Sequence, residues 1–288
     1  MADDKEIQKQ FDRAVKTIIE KLLRQADDAV KEARNLLDQT RSDVIARLAE
    51  QGLTEWDQFR LRQVKAAIEA RIAQLQAQLE ASLNGQFNKA IDLANELIDE
   101  PLRASIGVTN IFGVSRELAQ TASLFSATMI RDLTSSAQAA IDNVLRRAAL
   151  GGLTVAEAIA QIGKSLDDSK TFSSIAARAE TIFRTEVMRI QSIAASARMK
   201  LHREGARRAG WEIGKQWIAT PDKRVRLTHL AAMGQVRAQD EPFDVGGEKL
   251  QYPRDPKGSA ANTINCRCVA APTLERVYKL DRTTKFER

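Results

Sequence analysis

Apolar residues recur at steps of three and four from Ile7 through Phe11, Ala14, Ile18, Leu22, Ala26, Ala29, Ala33, Leu36, Val44 and Leu48, with Thr40 keeping the series in phase. No Gly or Pro interrupts them before Gly52. A stripe of that period prescribes one long amphipathic helix. Helices of this length suit an extended hairpin or a coiled assembly packed on partners or on copies of itself, rather than a small compact bundle. A second helix is expected after Gly52, capped by Thr54 with Asp57 three residues on. It carries Leu61, Val64, Ile68, Ile72, Leu75, Leu79 and Leu83, and Asn84-Gly85 is read as its stop. A shorter helix through Phe87, Ile91, Ala94, Leu97 and Ile98 is read as closing at Pro101.

Residues 102–114, with Gly107 and Gly113, read as a loop or hinge. Ser115 then caps a helix bearing Leu118, Ala122, Phe125, Met129, Leu133 and Ile141, which Gly151-Gly152 breaks. Thr154 and Glu157 form a capping box for a short helix ending near Gly163. One more helix, from Ser173-Ser174 to about Glu204, has the stripe Ile175, Ala179, Ile182, Glu186, Ile190, Ile193, Ala197 and Leu201. Glu186 occupies a position that calls for an apolar side chain. A carboxylate there must find a partner or become neutral, because burial disfavours its charge.

After Gly210 the period changes from helical to alternating. Trp211, Ile213 and Trp217 fall on one face of a strand. Thr220-Pro221-Asp222 is a turn able to start a short helix, Gly246-Gly247 centres a hairpin, and Thr263 to Ala270 reads as a last strand before a polar tail. The fold class is therefore mainly α, with long N-terminal helices followed by a small mixed α+β domain. The expected domains are a helical hairpin or arm over 1–101, a helical connector with a hinge over 102–170, the α+β module over 171–272 and a polar tail over 273–288.

Composition agrees: 43% hydrophobic and 28% charged residues argue against global disorder, and 5% aromatics with few Gly and Pro favour helices. No apolar run reaches the roughly 18–20 residues that span a bilayer. The acidic, polar start reads as no signal peptide, so the chain is expected to remain where it is made or to enter a particle assembled there. From Arg184 onward there are 21 Lys and Arg against 12 Asp and Glu, a net of +9 that leaves −3 for the rest. A basic half can contact nucleic acid, although no arginine run is interleaved with aromatics here, and a solvated basic face accounts for it equally well.

Candidate site residues converge from three places. Glu186 is out of place on its helix; Asp222, Arg226 and His229, at i, i+4 and i+7, share a face of the short helix; and in Asn265-Cys266-Arg267-Cys268 strand alternation turns both thiols one way and Asn265 with Arg267 the other. A disulfide between Cys266 and Cys268 would close a strained ring. Zinc takes N, S and O donors, so His229, Cys266 and Cys268 are candidate ligands, with Asp222 or Glu186 as a fourth. Buried thiols acting as small apolar groups are the competing account. A thiol nucleophile with His229 as base lacks an orienting group and an oxyanion hole. The structural account has Glu186 accepting hydrogen bonds from Arg226 or His229 in a buried network that includes or adjoins Arg184, Asp222, Asn265 and Arg267.

Arg184-Thr185-Glu186, then Trp217, Asp222-x-Arg224-Val225-Arg226-x-x-His229, Phe243, Tyr252-Pro253-x-Asp255-Pro256 and Asn265-Cys266-Arg267-Cys268 stand in an order and spacing that resemble the Mu F-like head morphogenesis family of tailed phages. The likeness runs from about Ile175 to Ala271. The segment after His229, Ala231-Ala232-Met233-Gly234, keeps the family's Gly in plainer surroundings. The resemblance implies a minor, low-copy head protein, made in the bacterial host cytoplasm and lying in the virion interior. It implies a portal protein and other capsid components as partners, action in head morphogenesis and, in some members, delivery with the genome. It implies no established catalytic activity. Two alternatives remain open: a DNA-contacting ejected protein, and a zinc- or thiol-dependent enzyme related to forms of the module fused to toxin domains. Self-association through the N-terminal helices is a further expectation.

Overall fold

The computed structural model describes residues 4–50, 58–109, 117–150, 152–167, 172–220 and 222–277. In chain order the elements are α1 (Asp4–Glu50), α2 (Gln58–Ile106), α3 (Glu117–Ala149), α4 (Val155–Asp167), α5 (Phe172–Arg208), β1 (Trp211–Ile218), α6 (Leu227–Ala231), β2 (Val236–Ala238), β3 (Phe243–Val245), β4 (Glu248–Leu250), α7 (Ala260–Thr263) and β5 (Val269–Arg276). The described residues are mainly helical, with long N-terminal helices and a small C-terminal domain of antiparallel strands, the class read from the sequence.

α1 buries the stripe that prescribed it: Phe11, Ile18, Leu22, Ala26, Ala29, Ala33, Val44 and Leu48 are all buried. Thr40 is buried too, its hydroxyl donating to the Leu36 carbonyl one turn back at 2.9 Å.

The expected stops at Asn84-Gly85 and Pro101 are corrected, because α2 is one helix that passes through all three residues. A glycine costs about 1 kcal/mol and an interior proline about 3 kcal/mol relative to alanine. Leu83, Phe87, Ile91, Leu97, Ile98 and Leu102 are buried along one face, and each such side chain stabilises by roughly 1.5–3 kcal/mol. The face outweighs both breakers. Gly85 is exposed and a Cβ there would meet nothing within 4 Å. Gly85→Ala is therefore expected to stabilise the chain by about 1 kcal/mol, visible as a raised denaturant midpoint at unchanged slope. A lowered midpoint would show that the glycine serves a purpose beyond helix continuity.

The Thr154–Glu157 capping box is present. The Glu157 backbone N–H donates to the Thr154 hydroxyl at 3.2 Å and the Thr154 N–H to the Glu157 carboxylate at 2.8 Å. α4 then continues past Gly163 to Asp167. The expected caps Thr54 and Ser115, with Gly52, Asp57, Gly113, Gly151 and Pro221, lie outside the described residues.

Two compact units are distinguished by their internal packing: 1–24, 90–115 and 188–288 in one, 25–89 and 116–187 in the other. Within the second, Arg71 pairs with Asp43 at 2.7 Å, the Gln86 amide donates to Glu32 at 2.6 Å, and Arg184 lies 3.5 Å from Asp27. Within the first, the Lys21 ammonium pairs with Glu96 at 2.5 Å and Asp99 receives Arg198 and His202.

The first unit also holds an antiparallel sheet in the order β2-β1-β5. β1 alternates as read, with Trp211, Ile213 and Trp217 buried. The hairpin at Gly246-Gly247 is likewise present between β3 and β4, with φ of 59° and 82°. Positive φ at both turn residues is what the tight hairpin turn demands and what glycine supplies. The last strand begins later than read. Residues 260–263 form the helical turn α7, and β5 runs from Val269 through Pro272 to Arg276. β5 lies at the sheet edge, where a proline without an N–H interrupts no ladder on its open side.

Candidate functional site

β1 delivers Trp217, fully buried, to a core shared with Phe243, Val245 and Leu250 of the hairpin. Trp217 meets Phe243 edge-on at 5.4 Å and His229 of α6 at 5.7 Å with an interplanar angle of 89°. Asn265 has φ 55°, a left-handed conformation that Asn tolerates better than most residues. That residue follows the end of α7 and leads into Cys266 and Cys268, which precede β5. The alternation read from the sequence holds there: both thiols are buried, at 1% and 2% exposure, whereas Arg267 is half-buried. His229 Nδ1 stands 3.5 Å from Cys266 Sγ and 3.3 Å from Cys268 Sγ. His229 Nε2 is buried without a hydrogen-bond partner.

Arg254 holds the thiol segment from behind. Its side chain is 1% exposed; Nη1 donates to the carbonyls of Cys266 and Cys268, both at 2.8 Å, and Nη2 donates to the Ser192 hydroxyl at 2.6 Å. Burial works against the guanidinium charge, and the thiol pair beside it works in its favour. The two thiols behave as one titrating pair. A hydrogen bond from Cys268 holds Cys266 below the ordinary thiol range despite burial, with Arg254 and His229 adding to the effect. The same bond, together with burial, pushes Cys268 up.

The expected one-face arrangement of Asp222, Arg226 and His229 is corrected. α6 begins at Leu227, Arg226 is its N-cap, and Asp222 sits in the preceding turn, accepting the Arg224 backbone N–H at 2.9 Å. Asp222 also receives both terminal nitrogens of Arg267, and that pairing draws its carboxyl down to about 2. Arg226 donates to the Ile264 carbonyl at 2.6 Å. Asp222–Arg267 and Arg226–Ile264 therefore tie the α6 turn to the thiol segment from the solvent side. Arg184 and Glu186, 8% exposed, fall in the unit formed by 25–89 and 116–187.

Beside the cluster lies a cavity of about 20 Å³ lined by Thr220, Arg224, Val225, Arg226, His229, Asn265 and the residues of the thiol segment. It has room for about one water molecule. His229, Cys266 and Cys268 form a group whose ligand atoms all lie within 4.8 Å of one another, close enough to share a single metal ion.

Sequence reasoning missed Arg254 and Lys215. Lys215 is buried on the Trp217 face of β1, donating to the Gln239 and Gln251 carbonyls at 2.9 and 2.8 Å; burial lowers its pKa to about 8. Their signal was present: a Lys on the inward register of an alternating strand, and an Arg between Pro253 and Asp255 in a loop.

The geometry defines a helical chain that ends in a small α+β module built around a buried imidazole–dithiol cluster. Residues 139–271 match the family described as Phage Mu protein F like protein, which supports the resemblance drawn from the sequence motifs. The match begins in α3, ahead of Ile175 where the recognisable blocks start. The chain is similar to the NAD(+)–arginine ADP-ribosyltransferase EFV of Enterococcus faecalis, at 31% identity over 126 residues, 44% of this chain and 24% of that protein. It is also similar to the uncharacterized protein YqbB of Bacillus subtilis, at 35% identity over 65 residues, 21% of each. The chain thus spans less than a quarter of either relative. No solved structure matches it.

Proposed function

We propose that the protein is a minor component of a phage head, lying in the virion interior near the portal and acting in head morphogenesis. The observation that carries this reading is the family match over residues 139–271, whose motif residues Trp217, His229, Phe243, Cys266 and Cys268 meet in one core. These residues support a shape held by packing rather than a reaction centre: the thiols are buried and the adjoining cavity admits about one water. Among the described residues no helix is long and apolar enough to cross a membrane. Portal and capsid components are the proposed partners, with contact to packaged DNA through the basic residues after Arg184 as a secondary role.

The test is to purify particles, strip their exterior with protease and search for this chain by mass spectrometry. It is expected in protease-protected, DNA-filled heads at low copy. Its absence from them, or its presence only in empty precursor shells, would overturn the reading.

The similarity to EFV favours a second reading, an enzyme of the type that relative's name describes. Ligand sites for molecules far smaller than a dinucleotide occupy about 300–1,000 Å³. The cavity at the thiol cluster is far below that. Since the alignment takes in only 24% of EFV, we infer that the shared part is the head module rather than the transferase. Incubation with labelled NAD(+) and an arginine-rich acceptor is expected to leave the acceptor unlabelled.

A further inference from the structure

We propose that His229 Nδ1, Cys266 Sγ and Cys268 Sγ bind one zinc ion, with a water molecule in the adjoining cavity as the fourth ligand. Zinc sits about 2.3 Å from thiolate sulfur and about 2.0–2.1 Å from imidazole nitrogen in a tetrahedron, so a sulfur–nitrogen edge of such a site measures about 3.5 Å. The two edges here are 3.5 and 3.3 Å. The donors therefore already stand at metal-site spacing. A disulfide would instead require the sulfurs to close to about 2 Å of each other.

The donor set is selective. Two soft sulfurs and one imidazole suit zinc and disfavour magnesium or calcium, which take oxygen ligands. The chain contains only two cysteines and two histidines, and both cysteines and one histidine converge on this point. All three ligands are at most 2% exposed. His229 Nε2 has no hydrogen-bond partner, so the ring's polar contacts concentrate at Nδ1, and a proton on Nε2 leaves the Nδ1 lone pair aimed at the sulfurs.

The surroundings hold the ligands as a metal site's outer shell does. Arg254 fixes the carbonyls of both cysteines, Asp222–Arg267 pins the residue between them, and Arg226 ties the start of α6 to Ile264. The fourth position opens on the cavity, whose volume of about 20 Å³ suits one water and whose walls carry Thr220, Arg224 and Arg226. Asp222, which sequence reasoning considered as fourth ligand, is engaged by Arg267 instead.

The inference is independent of where the protein acts, and the full chain tests it. Purified under reducing conditions, it is expected to carry about one zinc per chain by elemental mass spectrometry. Cobalt replacing the zinc is expected to give the visible absorption of a tetrahedral ion and a sulfur-to-cobalt charge-transfer band. His229→Cys, which exchanges one metal donor for another, is expected to retain the ion. His229→Phe is expected to weaken zinc binding at least 100-fold in competition with a chromophoric chelator. Because that variant can fail to fold, the cobalt spectrum of the unaltered chain decides. A chain with two titratable thiols, no co-purifying zinc and no cobalt charge-transfer band overturns the proposal, and so does a chain whose thiols are recovered as a disulfide.

Discussion

Arg254→Ala is expected to cost the C-terminal module about 3–5 kcal/mol, enough to unfold much of it when total stability is about 5–15 kcal/mol. The guanidinium donates to two backbone carbonyls and one hydroxyl in a region closed to water. Removing it leaves three buried acceptors bare, at roughly 1–3 kcal/mol each, and opens a cavity behind the thiols. The opposing effect is real: burying a guanidinium is unfavourable, and its loss relieves that penalty. Arg254→Met separates the two contributions, since it fills the space and removes the charge but donates nothing. If the hydrogen bonds dominate, the methionine variant is destabilised nearly as much as the alanine one in denaturant unfolding. A methionine variant as stable as the parent chain would mean that Arg254 merely fills space. Arg254 also has φ 66°, a conformation that non-glycine residues adopt at a cost of about 1–3 kcal/mol. The three hydrogen bonds hold the residue there.

The long helices were legible because their information is local. A three-and-four stripe states which face is buried, and α1 buries most of the residues so marked, with Ile7, Ala14 and Leu36 half-buried beside it. Breakers were over-read for the same reason: Gly85 and Pro101 carry local penalties, whereas the face that overrides them takes its free energy from packing partners distant in sequence. The second half of α5 shows the limit plainly. The stripe drawn through Ile193, Ala197 and Leu201 lies off the buried face, and Leu201 is 44% exposed. Ala194, Ala195, Arg198, Met199 and His202 are buried instead. Hydrophobicity points away from Arg198 and His202, and their shared partner Asp99, about a hundred residues earlier, gives them a reason to be inside. Within the site, the alternation of Cys266 and Cys268 was legible because extended chain alternates. Their convergence on His229 depends on how α6 packs, which no spacing announces. Asp222 was placed on a helix face by counting, but it precedes α6, which begins only at Leu227.

The second large effect is expected at Asp99. Its carboxylate accepts Arg198 Nε at 2.6 Å and Nη2 at 2.8 Å, and faces His202 Nε2 at 2.7 Å. Arg198 and His202 are 3% and 1% exposed. Asp99→Ala strands a buried guanidinium and a buried imidazole without their shared acceptor. Such a break costs about 3–5 kcal/mol when fully buried; the Asp99 side chain is 37% exposed, and solvent reduces the expected loss to about 2–3 kcal/mol. The dependence on pH follows from the direction of the Asp99 shift. Burial raises its pKa, but the hydrogen bonds from His202 and Arg198 outweigh that and hold the carboxyl below its ordinary value of 3.8. A group whose folded pKa is depressed contributes stability above its unfolded pKa and loses it as pH falls through the folded one. The difference between the parent chain and Asp99→Ala is therefore expected to be constant from about pH 5 to 7 and to shrink below about pH 4. Asp99→Asn, equal in size and lacking the charge, is expected to lie between the two at neutral pH and to meet the parent chain in acid. Urea unfolding of the three chains at pH 3 and pH 7 measures this directly. A gap of the same size at both pH values would assign the loss to packing at the α2–α5 contact rather than to the charge of Asp99.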